Sequence, residues 1–406
     1  MMSRMWNAVE GRIRRHVPVA LMSYRSARDL YSSRPSRFEQ LRTMCIGTAE
    51  DMTRRPFGLL QDEHEQRART AGYPPRADLV IEINNTCNID CLMCKTSLST
   101  RPKGAMKAHV LDTAARQAKE QGIRVVELHT IGDPLANPRL RDVLQILRRY
   151  GLRTGITTNG LLLYRHIDTL LDFRDVCSHI SFSVDGATAP VYEQIRAGGK
   201  WEQLLDNLDL ARTRLRPGGF DVRMSMVVSA ANVSEVGLFI ERFRDYVTAP
   251  HSRLQFSLVN SLSPDNQYFD QTNLFANHTV QNAPCRLVMG PEAHILIDGR
   301  VSVCCRDYDG SLVIGNVLEK PLDAIFNDRP LKTLQEAHYA RNLAGYPLCS
   351  TCFVTDERLA RLLNGVLSYV LYQHPDQPAV FYQERVDRFV SMFQRGDWSS
   401  YPSLFN

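Results

Sequence analysis

The sequence predicts an α/β protein: a parallel sheet with helices outside it, a small cysteine-bearing hairpin region behind, and helical extensions at both ends. Three observations carry this. Between residues 76 and 260, short apolar or β-branched runs alternate six times with helical patterns. Cys87, Cys91 and Cys94 form a C-x3-C-x2-C triad straight after the first run, Leu79–Ile83. More cysteines, from Cys285 to Cys352, surround an Asp298-Gly299 turn. The chain of 406 residues suits one large domain and a smaller one. Its 44% hydrophobic and 23% charged residues are globular values. A net charge of +5 is too small to argue for nucleic-acid binding. The sequence has no apolar run of about eighteen residues and no signal-peptide core, so neither membrane insertion nor secretion is expected. Ten cysteines in paired spacings then read as metal ligands in a reducing, cytoplasmic setting rather than as disulfides.

Residues 1–75 read as a helical N-terminal extension. Trp6, Val9, Ile13, His16 and Val17 recur at helical spacing beside Arg12, Arg14 and Arg15, and further helical pieces run over 36–44, 48–52 and 60–70. The sharper alternative is a basic amphipathic helix on a membrane or partner. Gly72 to Pro75 close the region with turn residues.

Residues 76–260 carry the repeat. Strands are expected at 79–83, 125–129, 153–157, 179–183, 222–228 and 254–258, with helices at 110–121, 140–150, 201–215 and 234–246 between them. In a barrel built this way the chemistry sits on loops at the C-terminal strand ends, and the cysteine triad lies in such a loop. A tetrahedral zinc site wants four ligands and no fourth lies nearby. Three thiolates suit a [4Fe–4S] cluster that keeps one iron without a protein ligand.

A C-x3-C-x2-C loop after a strand resembles the signature of the radical S-adenosylmethionine (SAM) superfamily. The resemblance implies a partial (β/α)6 TIM-like barrel over residues 76–260, with Cys87, Cys91 and Cys94 catalytic. It implies that the open iron chelates SAM and that an electron cleaves SAM to methionine and a 5′-deoxyadenosyl radical, supplied by a reductase such as flavodoxin or ferredoxin. Met93 stands where the family usually has an aromatic residue. The segment Ile131-Gly132-Asp133-Pro134 resembles the family's Gly-Gly-Glu-Pro, with Ile131 and Asp133 as departures, and Thr158-Asn159-Gly160 resembles its Thr-Asn-Gly segment near SAM. Read by themselves, both are good turn chemistry.

Ser183 and Asp185 alternate onto one face of the fourth strand, where they face SAM or substrate, or Asp185 merely caps the next turn. Tyr192 and Arg196 lie four apart on a helix. Arg223 and Ser225 either enter the barrel as SAM or substrate contacts or, in the opposite phase, Arg223 snorkels outward. Asn232, Gln255 and Ser257 are further candidates. Residues 261–283 read as an irregular linker at the barrel mouth, with Tyr268 and Phe269 the residues of interest.

Residues 261–355 hold the second cysteine group. The expected hairpin pairs 294–297 with 301–305, followed by helices at 321–326 and 331–339. The ligand set is Cys285, Cys304 or Cys305, Cys349 and Cys352, which fits zinc or [4Fe–4S]. Alternation puts Cys304 and Cys305 on opposite faces, and Cys304 shares the side of Ser302. The layout resembles the SPASM/Twitch extension of radical SAM enzymes, which implies one auxiliary [4Fe–4S] cluster with full cysteine ligation. Residues 356–406 read as a helical C-terminal extension, docked on the barrel or forming a homodimer contact.

The resemblance fixes how a radical is made and leaves its target open. A small polar substrate, a carbohydrate or aminocyclitol undergoing dehydrogenation, is the first expectation. Epimerisation with a spare thiol (Cys177 or Cys305) returning hydrogen is the second, and peptide modification the third. A non-enzymatic iron–sulfur scaffold would not need the strand-end motifs.

Overall fold

The expected strand–helix rhythm forms the centre of the protein. The computed structural model describes residues 35–54, 79–94, 96–261, 267–281, 285–290 and 292–406. Its first element is helix α1 (Pro35–Arg54). Strands β1 (Leu79–Ile81), β2 (Val125–Glu127), β3 (Arg153–Thr158), β4 (Cys177–Ser183), β5 (Asp221–Val228) and β6 (Leu254–Leu258) follow. They lie side by side in chain order and every pair is parallel. Between them come α2 (Ala108–Glu120), α3 (Leu140–Arg149), α4 (Ile167–Asp172), α5 (Ala189–Ile195), α6 (Trp201–Leu210) and α7 (Val236–Phe243). Each is amphipathic or short. Helix α3, for example, buries Leu140, Val143, Leu144, Ile146 and Leu147 and ends on Arg148 and Arg149, where cations suit the carbonyl end.

Alternation along the strands separates two faces. Ile180, Phe182, Met224, Met226, Phe256 and Leu258 are buried on the helix side. Phe256 meets Phe239 of α7, and Phe182 lies beside Leu204 of α6 across Gly160. The opposite face therefore presents Ser181, Ser183, Arg223, Ser225, Val227 and Gln255 to the interior, in register across β4, β5 and β6.

The hairpin region continues the same sheet. Strand β8 (Ala293–Ile295) pairs parallel with β1, and β9 (Arg300–Ser302) and β10 (Val313–Asn316) extend it antiparallel, giving nine strands. Gly299 turns the hairpin at φ 88, a conformation that favours glycine. The linker is more ordered than expected. It holds a short helix, Gln267–Thr272, and strand β7 (Thr279–Gln281), which pairs antiparallel with β11 (Phe353–Thr355). Three residues of strand behind a polar run leave too little periodicity to detect.

Helices α8 (Leu322–Asn327), α9 (Arg329–Tyr339) and α10 (Pro347–Ser350) follow the hairpin, and α11 (Glu357–Gln373) and α12 (Ala379–Arg395) close the chain. Asp356 caps α11 by accepting from the Arg358 N–H at 2.9 Å. Asn364 of α11 accepts from the Phe256 N–H at 2.9 Å and donates to the Phe256 carbonyl, so it occupies backbone groups on the open edge of β6. The two helical pieces expected at 36–44 and 48–52 are one helix, α1, which packs on α11. Phe38 stacks on Tyr372 with centroids 3.9 Å apart, and the close approach of Cys45 requires Gly365. The basic helix expected around Trp6 to Val17, the helix at 60–70 and the turn at 72–75 lie outside the described residues.

Candidate functional site

The triad loop leaves β1 and docks on the end of α5, where the Asp90 N–H donates to the Ala197 carbonyl at 2.8 Å and the Leu92 N–H to Ile195 at 2.9 Å. Within the loop the Cys94 N–H donates to the Cys91 carbonyl at 2.9 Å. All three thiols are partly exposed. They lie close enough for a charge on one to raise the pKa of another. Burial pushes the Cys87 thiol up to about 11 and Cys91 to about 12. Among the described residues, no three His, Cys, Asp or Glu side chains converge to hold a single metal ion.

Three loops at the C-terminal strand ends close around the triad. Gly132 has φ 88, and a Cβ there would lie 2.7 Å from the Thr86 carbonyl oxygen, so only glycine fits against the strand that leads to Cys87. The Thr96 hydroxyl lies 3.1 Å from the Cys94 sulfur and accepts from the Gly132 N–H at 3.3 Å. Asp133 is buried, and its carboxylate accepts from the Thr158 hydroxyl at 2.8 Å, the Asn159 N–H at 2.7 Å and the Leu135 N–H at 2.9 Å. It ties the second loop to the third. Pro134 begins a short helical turn behind it. The Asn159 amide reaches the triad, donating to the Cys87 sulfur at 3.6 Å and to Asn88 at 2.9 Å.

Asp185 binds neighbouring elements of the chain. It is fully buried, accepts from the Val227 N–H at 2.8 Å, and pairs with Arg196 at 2.7 Å. Arg196 in turn places a guanidinium nitrogen 3.6 Å from the Cys91 sulfur. Tyr192 is buried beside them, its hydroxyl lacking a partner. Ser183 stands on the interior face opposite Ser225. Arg223 shares that face but is not brought to the triad. It sits five residues before the end of β5, about 17 Å down the strand at ~3.3 Å per residue, and Asp221 holds its guanidinium at 2.8 Å. The Tyr268 hydroxyl meets Ser229 at 3.1 Å, just past the end of β5, while Phe269 is buried. A pocket of about 590 Å³ opens beside the triad, lined by Thr86, Cys87, Thr96, Lys103 and Gly198 among others.

The second cysteine group lies at the far end of the hairpin. Cys304 and Cys305 follow β9 in a turn rather than extending it. Cys304 is buried, whereas Cys305 is exposed. Cys285 is close enough to sense charge on Cys352, as Cys304 and Cys349 are to sense charge on Cys285. Burial raises Cys285 to about 11 and Cys349 to about 12. Buried His338 accepts from the Cys285 N–H at 3.3 Å through Nδ1. Arg306 donates to the Cys352 sulfur at 3.1 Å, and its main-chain N–H lies 3.4 Å from the Cys304 sulfur. Arg306 and His338 escaped sequence reasoning. The Cys304-Cys305-Arg306 adjacency was the one available signal.

Known proteins agree with this architecture. Residues 81–229 match the radical SAM superfamily model and residues 285–353 the SPASM iron–sulfur cluster-binding domain model. The chain carries a radical SAM domain followed by a SPASM-type iron–sulfur domain. Its cofactors are accordingly SAM and two [4Fe–4S] clusters.

The PqqA peptide cyclase of Gluconobacter oxydans is 29% identical over 167 residues, 40% of this chain and 44% of that protein. A probable GTP 3′,8-cyclase of Archaeoglobus fulgidus is 27% identical over 165 residues, 40% of this chain and 53% of that one. The chain thus spans about half the length of the curated relatives it matches. Among solved structures, Streptococcus suis SuiB bound to precursor peptide SuiA is similar with a TM-score of 0.51 at 16% identity, over 69% of this chain and 72% of that one. Native anSMEcpe with bound AdoMet is similar with a TM-score of 0.51 at 13% identity, over 78% and 100%. These two likenesses show the fold.

The donor sets fit the clusters. Buried thiols with raised pKa values become thiolates at small cost only when a metal takes the place of the proton. Full ligation is available at the second set, and three ligands at the first.

Proposed function

We propose that this protein oxidises a small polar substrate, of carbohydrate or aminocyclitol type, by loss of a hydrogen atom and then of a second electron and a proton. The observation that carries the reading is the interior face of the sheet. Below the strand-end loops it presents Ser181, Ser183, Ser225 and Gln255, side chains that match hydroxyl and amino groups better than apolar ones.

In this reading Cys87, Cys91 and Cys94 hold the first cluster and leave one iron open. When bound, SAM supplies a 5′-deoxyadenosyl radical that takes the hydrogen atom. The Gly132–Pro134 and Thr158–Asn159 loops wall the SAM site. Asp133 acts by tying the two loops together, and Asp185 by aiming Arg196. Arg223, held by Asp221, shapes the floor of the cavity. Cys285, Cys304, Cys349 and Cys352 close the second site to substrate, which suits an electron acceptor. A flavodoxin or ferredoxin type protein is the expected reductant of the first site.

Oxidation fits better than epimerisation. Cys177 is buried at the opposite end of β4 from the loops, with its thiol directed to the His179 carbonyl, and Cys305 sits on the surface of the hairpin. The second reading, peptide modification, draws on relatives such as the PqqA peptide cyclase. The test is product mass with reduced protein, SAM and panels of aminocyclitols, sugars and short peptides. Loss of two hydrogens from a polyol or aminocyclitol supports oxidation. An unchanged mass with solvent deuterium at one carbon supports epimerisation, and product from peptides alone supports the second reading.

A further inference from the structure

Each cysteine site has an arginine at a sulfur, Arg196 buried and Arg306 half-buried, and the two differ in what else they touch. Arg196 gives one nitrogen to Cys91 at 3.6 Å and another to the carboxylate of Asp185 at 2.7 Å. Arg306 donates to the Cys352 sulfur at 3.1 Å, its N–H faces the Cys304 sulfur at 3.4 Å, and among the described residues no carboxylate pairs with it. Glu292 is close enough to act on Cys305, and the carboxylate of Asp307, two residues after Cys305, is close enough to act on Cys349. The charge of Asp307 is spread over the Ser302 hydroxyl at 2.7 Å, the Ser311 N–H at 2.7 Å and hydroxyl at 2.9 Å, and the Leu312 N–H at 2.8 Å.

Adding an electron to an iron–sulfur site makes it more negative. A cation and N–H donors aimed at its sulfurs stabilise that added charge, the more so the lower the local dielectric. Asp185 cancels much of this effect at the first site, whereas among the described residues no carboxylate pairs directly with Arg306.

We propose that Arg306 is a positioning residue whose charge, not paired with a carboxylate, raises the reduction potential of the second iron–sulfur site, suiting it to take one electron. Its use in turnover rests on the oxidation reading above; the potential itself does not depend on that reading. No bond forms or breaks and no proton moves: one electron enters the site and Arg306 stays charged.

The test is an anaerobic potential titration followed by electron paramagnetic resonance, without SAM or substrate. Full-length protein carrying Cys87→Ala, Cys91→Ala and Cys94→Ala isolates the second site. Arg306→Gln in this background is expected to weaken reduction at least tenfold, a downward shift of about 59 mV for one electron. Arg306→Lys keeps the charge, loses the fork and should move the potential down by less. An unmoved potential in Arg306→Gln with iron retained overturns the proposal. If Arg306→Gln sheds its iron, Arg306→Lys decides: a downward shift supports the proposal and an unmoved potential overturns it. Zinc in place of iron overturns both the proposal and the cluster. A lowered potential in a protein that oxidises none of the candidate substrates upholds Arg306 and removes the oxidation reading alone.

Discussion

Glu82, fully buried just past β1, grips Arg101 through two parallel hydrogen bonds of 2.7 Å. The Ile297 N–H also donates to Glu82, at 3.1 Å, and Arg101 donates to the Tyr308 carbonyl at 2.8 Å. One ion pair therefore joins the segment after the triad to the hairpin that carries Cys304. Breaking a buried pair from one side leaves an uncompensated charge, which costs about 3–5 kcal/mol. Glu82→Gln should lower the thermal midpoint sharply. Replacing both residues by leucine should recover part of the loss. Equal midpoints for wild type and Glu82→Gln would remove the pair as a link.

Gly132 makes a second prediction. Gly132→Ala forces a Cβ to 2.7 Å from the Thr86 carbonyl oxygen at positive φ, a strain of about 1–3 kcal/mol. The damage falls on the lead-in to Cys87. Iron analysis should find iron lost mainly from the first site, with SAM binding weakened and the second site still loaded.

The motif positions were legible because they are local: a glycine turn, a cysteine spacing and a strand alternation each announce themselves within a few residues. The roles of Asp133 and Asp185 were not, because each depends on a partner on a strand distant in sequence. Thr158 is 25 residues from Asp133 and Val227 is 42 from Asp185. Glu82 offered one signal, a charge inside the apolar run 79–83. Arg101 offered none. The attachment of the hairpin to β1 was hidden because β8 is three residues long and its partner lies more than 200 residues away.

Asp185 leads to a third prediction. Asp185→Asn leaves Arg196 buried without its counter-charge and free to turn from Cys91. Losing one partner of a buried charged pair costs about 2–5 kcal/mol, so SAM cleavage by the reduced protein should fall at least about tenfold. Iron content should stay at the wild-type level. A cleavage rate within twofold of wild type would show that Arg196 needs no anchor.

Exposure separates the adjacent cysteines of the hairpin. Cys304→Ser should cost about four irons per chain, the content of one cluster. Cys305→Ser should cost none. The reverse pattern would move the ligand to Cys305.

His338 predicts a pH dependence. Burial lowers its pKa from the ordinary 6.5 to about 4. The unfolded chain therefore binds a proton that the folded chain refuses between those values. Stability contributed by neutral His338 is intact above about pH 6.5 and falls by about 3 kcal/mol as pH drops to 4. Thermal midpoints of wild type and His338→Gln, followed from pH 7 to 4.5, should show the steeper decline in wild type. Parallel curves would assign the acid sensitivity elsewhere.

In the proposed oxidation, Cys87, Cys91 and Cys94 start a radical reaction whose second electron leaves through the protein's other cysteine site. Its most direct test is the ratio of 5′-deoxyadenosine to oxidised product, with reduced protein, SAM and an accepted substrate. The expected result is one 5′-deoxyadenosine per product molecule and none from a Cys91→Ala variant. Product formed without 5′-deoxyadenosine, or 5′-deoxyadenosine formed equally by Cys91→Ala, would contradict it.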